Sequence, residues 1–128
     1  MENNCSLPRI LLGATGSGSG KTTITCGLLK LLQRAGRDPI SFKCGPDYID
    51  PMFHKEVLGI NSRNLDLFFN EEDTVRMLMG HHYRKENANI AVIEGVMGYY
   101  DGLGGTSVTA GSYDLARATR TPAILNVD

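Results

Sequence analysis

The feature that most constrains this chain is a run of alternating glycines lying between a short apolar stretch and an amphipathic helix. Arg9–Gly13 is the apolar stretch, punctuated at its start by Pro8, and Ala14-Thr15-Gly16-Ser17-Gly18-Ser19-Gly20-Lys21-Thr22-Thr23 follows at once. From Thr22 to Ala35 the spacing is helical, with Ile24, Leu28, Leu31 and Leu32 on one expected face and Gly36 as the stop. Alternating glycines let backbone N–H groups converge on an anion, and a helix N-terminus adds its positive end. Lys21 would then reach the outer phosphates of a nucleotide, and the Thr22 hydroxyl would ligate Mg²⁺. The match to GxxxxGK[ST] is partial, since Thr15 stands where that pattern has glycine. A flexible surface loop is the competing reading, but such a loop has no need of Gly-Lys-Thr-Thr in the first turn of a helix. Nucleotide binding is therefore expected at Thr15, Gly16, Ser17, Gly18, Ser19, Gly20, Lys21, Thr22 and Thr23.

The rest of the chain keeps alternating strand and helix. Pro39–Lys43 predicts a second strand, followed by turn-rich Gly45–Pro51 and a short helix after Pro51. A clearer helix is expected from Glu71 to Arg84, capped by Asn70, with acids at its start, bases at its end, and Val75, Leu78 and Met79 buried. Ile90–Ile93 predicts a third strand closing on Glu94, Ser112 is expected to cap a helix to Thr119, and Ala123–Val127 predicts a fourth strand. Short apolar strands separated by helices imply an α/β fold with a doubly wound, mostly parallel sheet of P-loop NTPase type. The chain ends at Asp128 directly on a strand, so the domain is expected to be incomplete.

Composition narrows the function classes. With 13 basic and 14 acidic residues the net charge is −1, which gives no bulk attraction to nucleic acid or an anionic membrane. The longest apolar runs, such as Ile10–Leu12 and Ala91–Ile93, fall far short of the roughly 20 residues of a membrane span. Cys5, Cys26 and Cys44 form no CxxC pair, which suits a reducing compartment, and the cytoplasm is the expected location.

In a doubly wound sheet, ligands bind beyond the carboxyl ends of the strands. Asp47, Asp50, Glu94 and Asp101 all follow predicted strands on that edge. Magnesium takes one or two carboxylates together with phosphate oxygens and water, so Thr22, Asp47 and Glu94 are its expected ligands. Asp47 and Asp50 also suit simple turn capping beside Pro46 and Pro51. Glu94 closes a buried strand and so needs a metal or a lysine as partner. Lys43 ends the second predicted strand and would point at the same pocket, where it is expected either to stabilise a transferring phosphoryl group or to sit in a surface ion pair.

Four segments together resemble the cobyrinic acid a,c-diamide synthases in order and spacing: Gly16–Thr23, Lys43–Pro51, Arg63–Asp66 and Glu94–Gly102. The resemblance implies that residues 1–128 are the N-terminal part of an amidoligase synthetase domain related in fold to dethiobiotin synthetase, with the C-terminal glutaminase domain absent. It implies ATP and Mg²⁺ as cofactors and a corrinoid or related tetrapyrrole carboxylate as substrate. Ammonia would come from glutamine through a glutaminase domain outside this chain. It marks Lys21, Lys43, Asp47, Asp50, Glu94 and Asp101 as catalytic, with Asp50 and Asp101 toward the substrate. Cobyrinic acid, hydrogenobyrinic acid and nickel-sirohydrochlorin all stay open, as does oligomeric state, a homodimer included.

Other features carry less. Adjacent His81 and His82 point in different directions on a helix and suit a helix end better than a metal. Met77 and Met79 suit the core or its margin, and Cys26 a helix face. Tyr99-Tyr100 suits either stacking on a macrocycle or loop packing. Arg63 and Asp66 have only the resemblance behind them. None of the cysteines is assigned as a nucleophile. The competing classes are a nucleotide-switch ATPase of the partitioning type and an inactive fragment that exposes a sheet edge. The switch would carry a second lysine at Gly16 and an aspartate near Glu94-Gly95.

Overall fold

The computed structural model describes residues 7–16, 20–45, 58–96, 98–100 and 111–127. In chain order these form β1 (Arg9–Ala14), α1 (Lys21–Arg34), β2 (Pro39–Cys44), β3 (Ser62–Leu65), α2 (Glu72–Lys85), β4 (Ile90–Glu94), α3 (Ser112–Thr119) and β5 (Ala123–Asn126). The strands make one five-stranded sheet in the order β3-β2-β4-β1-β5, with every pairing parallel. This is the expected α/β architecture. The helix expected after Pro51 lies outside the described residues.

Side chains alternate across each strand, so each carries two sets of contacts. Leu12 and Val92 pack toward α1 with Leu29 and Ile60. Leu11, Phe42, Ala91 and Ile93 pack the other way, against Val75, Met79 and Tyr83 of α2 and Leu115 and Ala116 of α3. The central strands are thus covered on both faces, which is why they appear as continuous apolar runs.

β3 was not anticipated. Ser62-Arg63-Asn64-Leu65 has a single apolar residue and no alternation, and it forms because β2 offers a free edge for pairing. Its Ser62 hydroxyl donates to Ser41 Oγ at 3.2 Å, giving two buried polar side chains a mutual partner.

The helices required three corrections. In α1, Ile24 and Leu31 are exposed, and the buried line is Lys21, Thr25 and Leu29 with Leu28 and Leu32 at its margin. The helix is turned so that Lys21 faces the sheet edge, and Thr25 is tolerated inside because its hydroxyl donates to Lys21 O at 2.7 Å. In α2, Glu71 rather than Asn70 holds the cap position, without a side-chain cap bond. The Asn70 amide instead donates to Asp66 O, while Asp66 Oδ1 accepts the Phe68 N–H at 2.8 Å. Gly80 and Tyr83 complete the buried stripe of α2, Leu78 is only half-buried, and Met77 is exposed. In α3, Gly111 is the cap and Ser112 is the first helical residue.

All three helices end alike. A left-handed residue closes each, directly after the cap at Gly36 and Asn87 and at the cap itself at Arg120. Paired bonds then close the last carbonyls, as in Gly36 N–H to Gln33 O and Arg37 N–H to Leu32 O.

Candidate functional site

The carboxyl ends of β1, β2 and β4 bring the charged residues together. Gly20, at φ +82°, turns the chain from the glycine loop into α1, a conformation that a side chain would strain. This puts Lys21 and Thr22 in the first turn, above the end of β4. The Thr22 hydroxyl donates to Glu94 Oε2 at 2.8 Å. Lys43 and Glu94 face each other in the β2–β4 register, and Lys43 Nζ donates to the same oxygen at 2.7 Å. The pair is buried, with Lys43 at 4% and Glu94 at 0% exposure, so Lys43 is not in a surface ion pair. Lys21 Nζ lies 3.4 Å from Gly16 O. Burial, with the neighbouring Lys43 charge adding to it, lowers the Lys21 pKa, and Glu94 partly opposes them.

Glu94 Oε1 is buried and has no hydrogen-bond partner among the described residues. A carboxylate oxygen in that position calls for a donor or a cation. No cluster of three or more His, Cys, Asp or Glu side chains occurs among the described residues, so they contain no all-protein metal cage. The chemistry fits a magnesium ion that enters on nucleotide phosphates and needs only one or two carboxylates. Thr22 gives its proton to Glu94 and keeps oxygen lone pairs for a cation.

The remaining loop residues divide. Thr15 gives its N–H to Asn126 O at 3.3 Å, and the Thr23 side chain is exposed. Ser17, Gly18, Ser19, Asp47, Asp50 and Asp101 lie outside the described residues.

Residues 10–122 match the CbiA family, described as the CobQ/CobB/MinD/ParA nucleotide binding domain. The chain belongs to the CbiA family. Among curated proteins it is 50% identical over 119 residues to the cobyrinate a,c-diamide synthase of Gloeobacter violaceus, covering 93% of this chain and 26% of that protein. It is 44% identical over 122 residues to the synthase of the same name from Thermoplasma acidophilum, covering 95% of this chain and 27% of that one. The corresponding protein of Listeria innocua is 43% identical over 120 residues, covering 94% and 26%. The chain thus spans about a quarter of the length of the curated relatives it matches.

Within this CbiA-family chain, one residue expected only as a helix cap takes a part in the site. The Ser112 hydroxyl accepts the Val96 N–H at 2.8 Å and donates to Val96 O at 3.1 Å. It thereby fixes the turn just past Glu94. Gly95 passes so close that a Cβ there would lie 2.6 Å from Ser112 Oγ and 3.0 Å from Leu12 O. The contact spans 16 residues of sequence, so no local pattern announces it. Cys44 is buried, and burial pushes its thiol up to about 12, which favours the protonated thiol at neutral pH.

Arg63 and Asp66 take structural parts: Arg63 donates to Ser62 O, and Asp66 shapes the turn after β3. His82 lies in the last turn of α2, where burial and the Arg63 charge lower its pKa, which favours the neutral ring.

Proposed function

We propose that the chain carries the ATP-binding part of an enzyme that amidates acetate carboxylates of a corrinoid in cobalamin biosynthesis, working in the cytoplasm. The observation that carries it is Glu94, buried at the end of β4 with Thr22 and Lys43 on one oxygen and none of the described residues on the other. The names and 38–50% identities of the relatives favour amidation over a nucleotide switch. None of the helices among the described residues is long and apolar enough to cross a membrane.

The reaction begins with an unreactive carboxylate. Its oxygen attacks the γ-phosphorus of ATP, the bond to the bridging oxygen breaks, and ADP leaves, giving an acyl phosphate. Ammonia then adds to the carbonyl carbon, the C–O bond to phosphate breaks with its electron pair on phosphate, and a proton is lost to give the amide. Lys21 and the α1 N-terminus bind the β- and γ-phosphates, and Lys43 faces the oxygens on which charge builds. Magnesium, held by Thr22 and Glu94 together with Asp47, would neutralise phosphoryl charge. Asp50 and Asp101 act toward the substrate, orienting the carboxylate or ammonia. The ammonia derives from glutamine through a glutaminase domain.

The test is a chimera in which residues 1–128 replace the matching segment of the Gloeobacter violaceus synthase. ATP-dependent conversion of cobyrinate to its diamide, followed by mass spectrometry, is expected with glutamine as donor. Lys21→Ala in the chimera is expected to abolish it. Unchanged turnover in that variant would overturn the phosphate-site assignment. A folded chimera that hydrolyses ATP without amidating cobyrinate would overturn the substrate.

A further inference from the structure

Three tyrosine rings meet at the same sheet edge, on the opposite face from the charged cluster. Strand alternation places Val92 and Glu94 toward α1, whereas Leu11 and Gly13 point toward α2 and α3. Tyr99 packs over Gly13, where an added Cβ would come within 2.8 Å of the ring. Its N–H donates to Ala14 O at 2.7 Å, and its carbonyl accepts the Tyr113 N–H at 2.9 Å. Tyr99 is therefore a strut between the end of β1 and the start of α3. It stands nearly perpendicular to Tyr100 and Tyr113, at 81° and 80°. Those two rings lie 5.3 Å apart with a tilt of 41°. They remain open, Tyr100 at 61% and Tyr113 at 36% exposure.

We propose that Tyr100 and Tyr113 form an aromatic platform for the ring face of the corrinoid substrate, a proposal that rests on the amidation reading above. A corrin is a broad conjugated ring with ionised carboxylates at its rim. It needs an apolar floor near the phosphate site that does not compete with the nucleotide. Lys21, Thr22, Lys43 and Glu94 occupy the α1 side of the edge, which leaves the tyrosine side for a second ligand. Two adjoining phenol faces, apolar in body and polar at the tip, suit a ring whose periphery stays wet. The backbone links the two halves directly, because Tyr99 and Tyr100 lie on the segment that leaves Glu94. A ring resting there can turn a rim carboxylate toward the γ-phosphate.

The experiment titrates the protein with cobyrinate, reading tyrosine emission and the corrin absorption bands. The sequence contains no tryptophan, so tyrosine is its main intrinsic fluorophore. Saturable quenching is expected. Tyr100→Ala is expected to weaken cobyrinate binding roughly tenfold, the effect of losing one stacked ring, with Tyr100→Phe within about twofold of the parent. Mg-ATP binding, followed by calorimetry, is expected to stay unchanged in both, as is the far-ultraviolet circular dichroism.

Equal cobyrinate affinity in Tyr100→Ala and in the double variant with Tyr113→Ala would overturn the platform while leaving the amidation reading intact. A loss of ATP affinity instead would mean that the rings hold the nucleotide base, which also overturns it. Failure of the parent protein to bind cobyrinate while binding Mg-ATP overturns it as well. A folded protein that binds neither ligand overturns both readings.

Discussion

On the face covered by α2 and α3, Leu11, Phe42, Ile93, Val75 and Leu115 pack apolar side chain against apolar side chain. On the α1 face the same sheet buries Lys43 and Glu94, and among the described residues its buried apolar cluster is Leu12, Val92, Leu29 and Ile60. The difference separates stability from chemistry. Burying a lysine–glutamate pair costs desolvation that the attraction only partly offsets, so such a pair is a weak source of stability. The apolar face holds the sheet together, and that lets the other face keep charges where a phosphate would meet them.

The largest effect that tests this contrast is Glu94→Ala. It removes the carboxylate partner of the buried Lys43 ammonium, and urea unfolding is expected to show a loss of about 3–5 kcal/mol. Replacing both partners, Lys43→Met with Glu94→Leu, is expected to recover most of that stability while abolishing Mg-ATP binding. A double variant as unstable as the single would show that the pair supports the fold, and the contrast would fail. Next comes Leu115→Ala on the other face. It is expected to cost about 3 kcal/mol in the same assay. Mg-ATP affinity should be unchanged at temperatures well below its melting point.

Gly95→Ala sharpens the comparison at the seam. The added methyl presses on Ser112 Oγ and on the Leu12 carbonyl, and denaturation is expected to show a loss of about 1–3 kcal/mol. Unlike Leu115→Ala, it should also weaken Mg-ATP binding, because it shifts the turn that follows Glu94.

The smallest expected effect is a pH dependence at Lys21. Its pKa in the folded protein lies below the ordinary 10.5, so its burial cost is full at neutral pH and is relieved as pH rises. A bound phosphate supplies the missing negative charge and raises that pKa. Mg-ATP binding should therefore take up protons in alkaline buffer, and affinity should fall as pH climbs past the free-state pKa toward 10.5. Calorimetry in buffers of different ionisation enthalpy reads the uptake directly. No uptake at any alkaline pH would mean that the phosphate does not approach Lys21.

Much of this was legible in the sequence because the signals are local. The apolar runs of β1, β2 and β4, the glycine loop before Lys21 and the carboxylate at the end of β4 each lie within a few residues. The parts that were missed depend on distant partners. β3 has one apolar residue and exists only because β2 pairs with it. The rotation of α1 follows from Lys21 facing the edge, which no hydrophobic count over Ile24–Leu32 registers. Ser112 looked like a helix cap because serine favours that role, yet its hydroxyl serves Val96, 16 residues upstream. Lys43 and Glu94 were legible as strand-end charges on one edge, with a lysine among the expected partners of Glu94, and the register is what pairs these two.

The most direct measurement is a calorimetric titration of the folded protein with ATP, with and without Mg²⁺, repeated on Lys21→Ala. If Thr22, Lys43 and Glu94 form a phosphate and magnesium site with Lys21, binding will require Mg²⁺ and will disappear in the variant. Binding that ignores magnesium, that survives Lys21→Ala, or that is absent from the folded parent would contradict it.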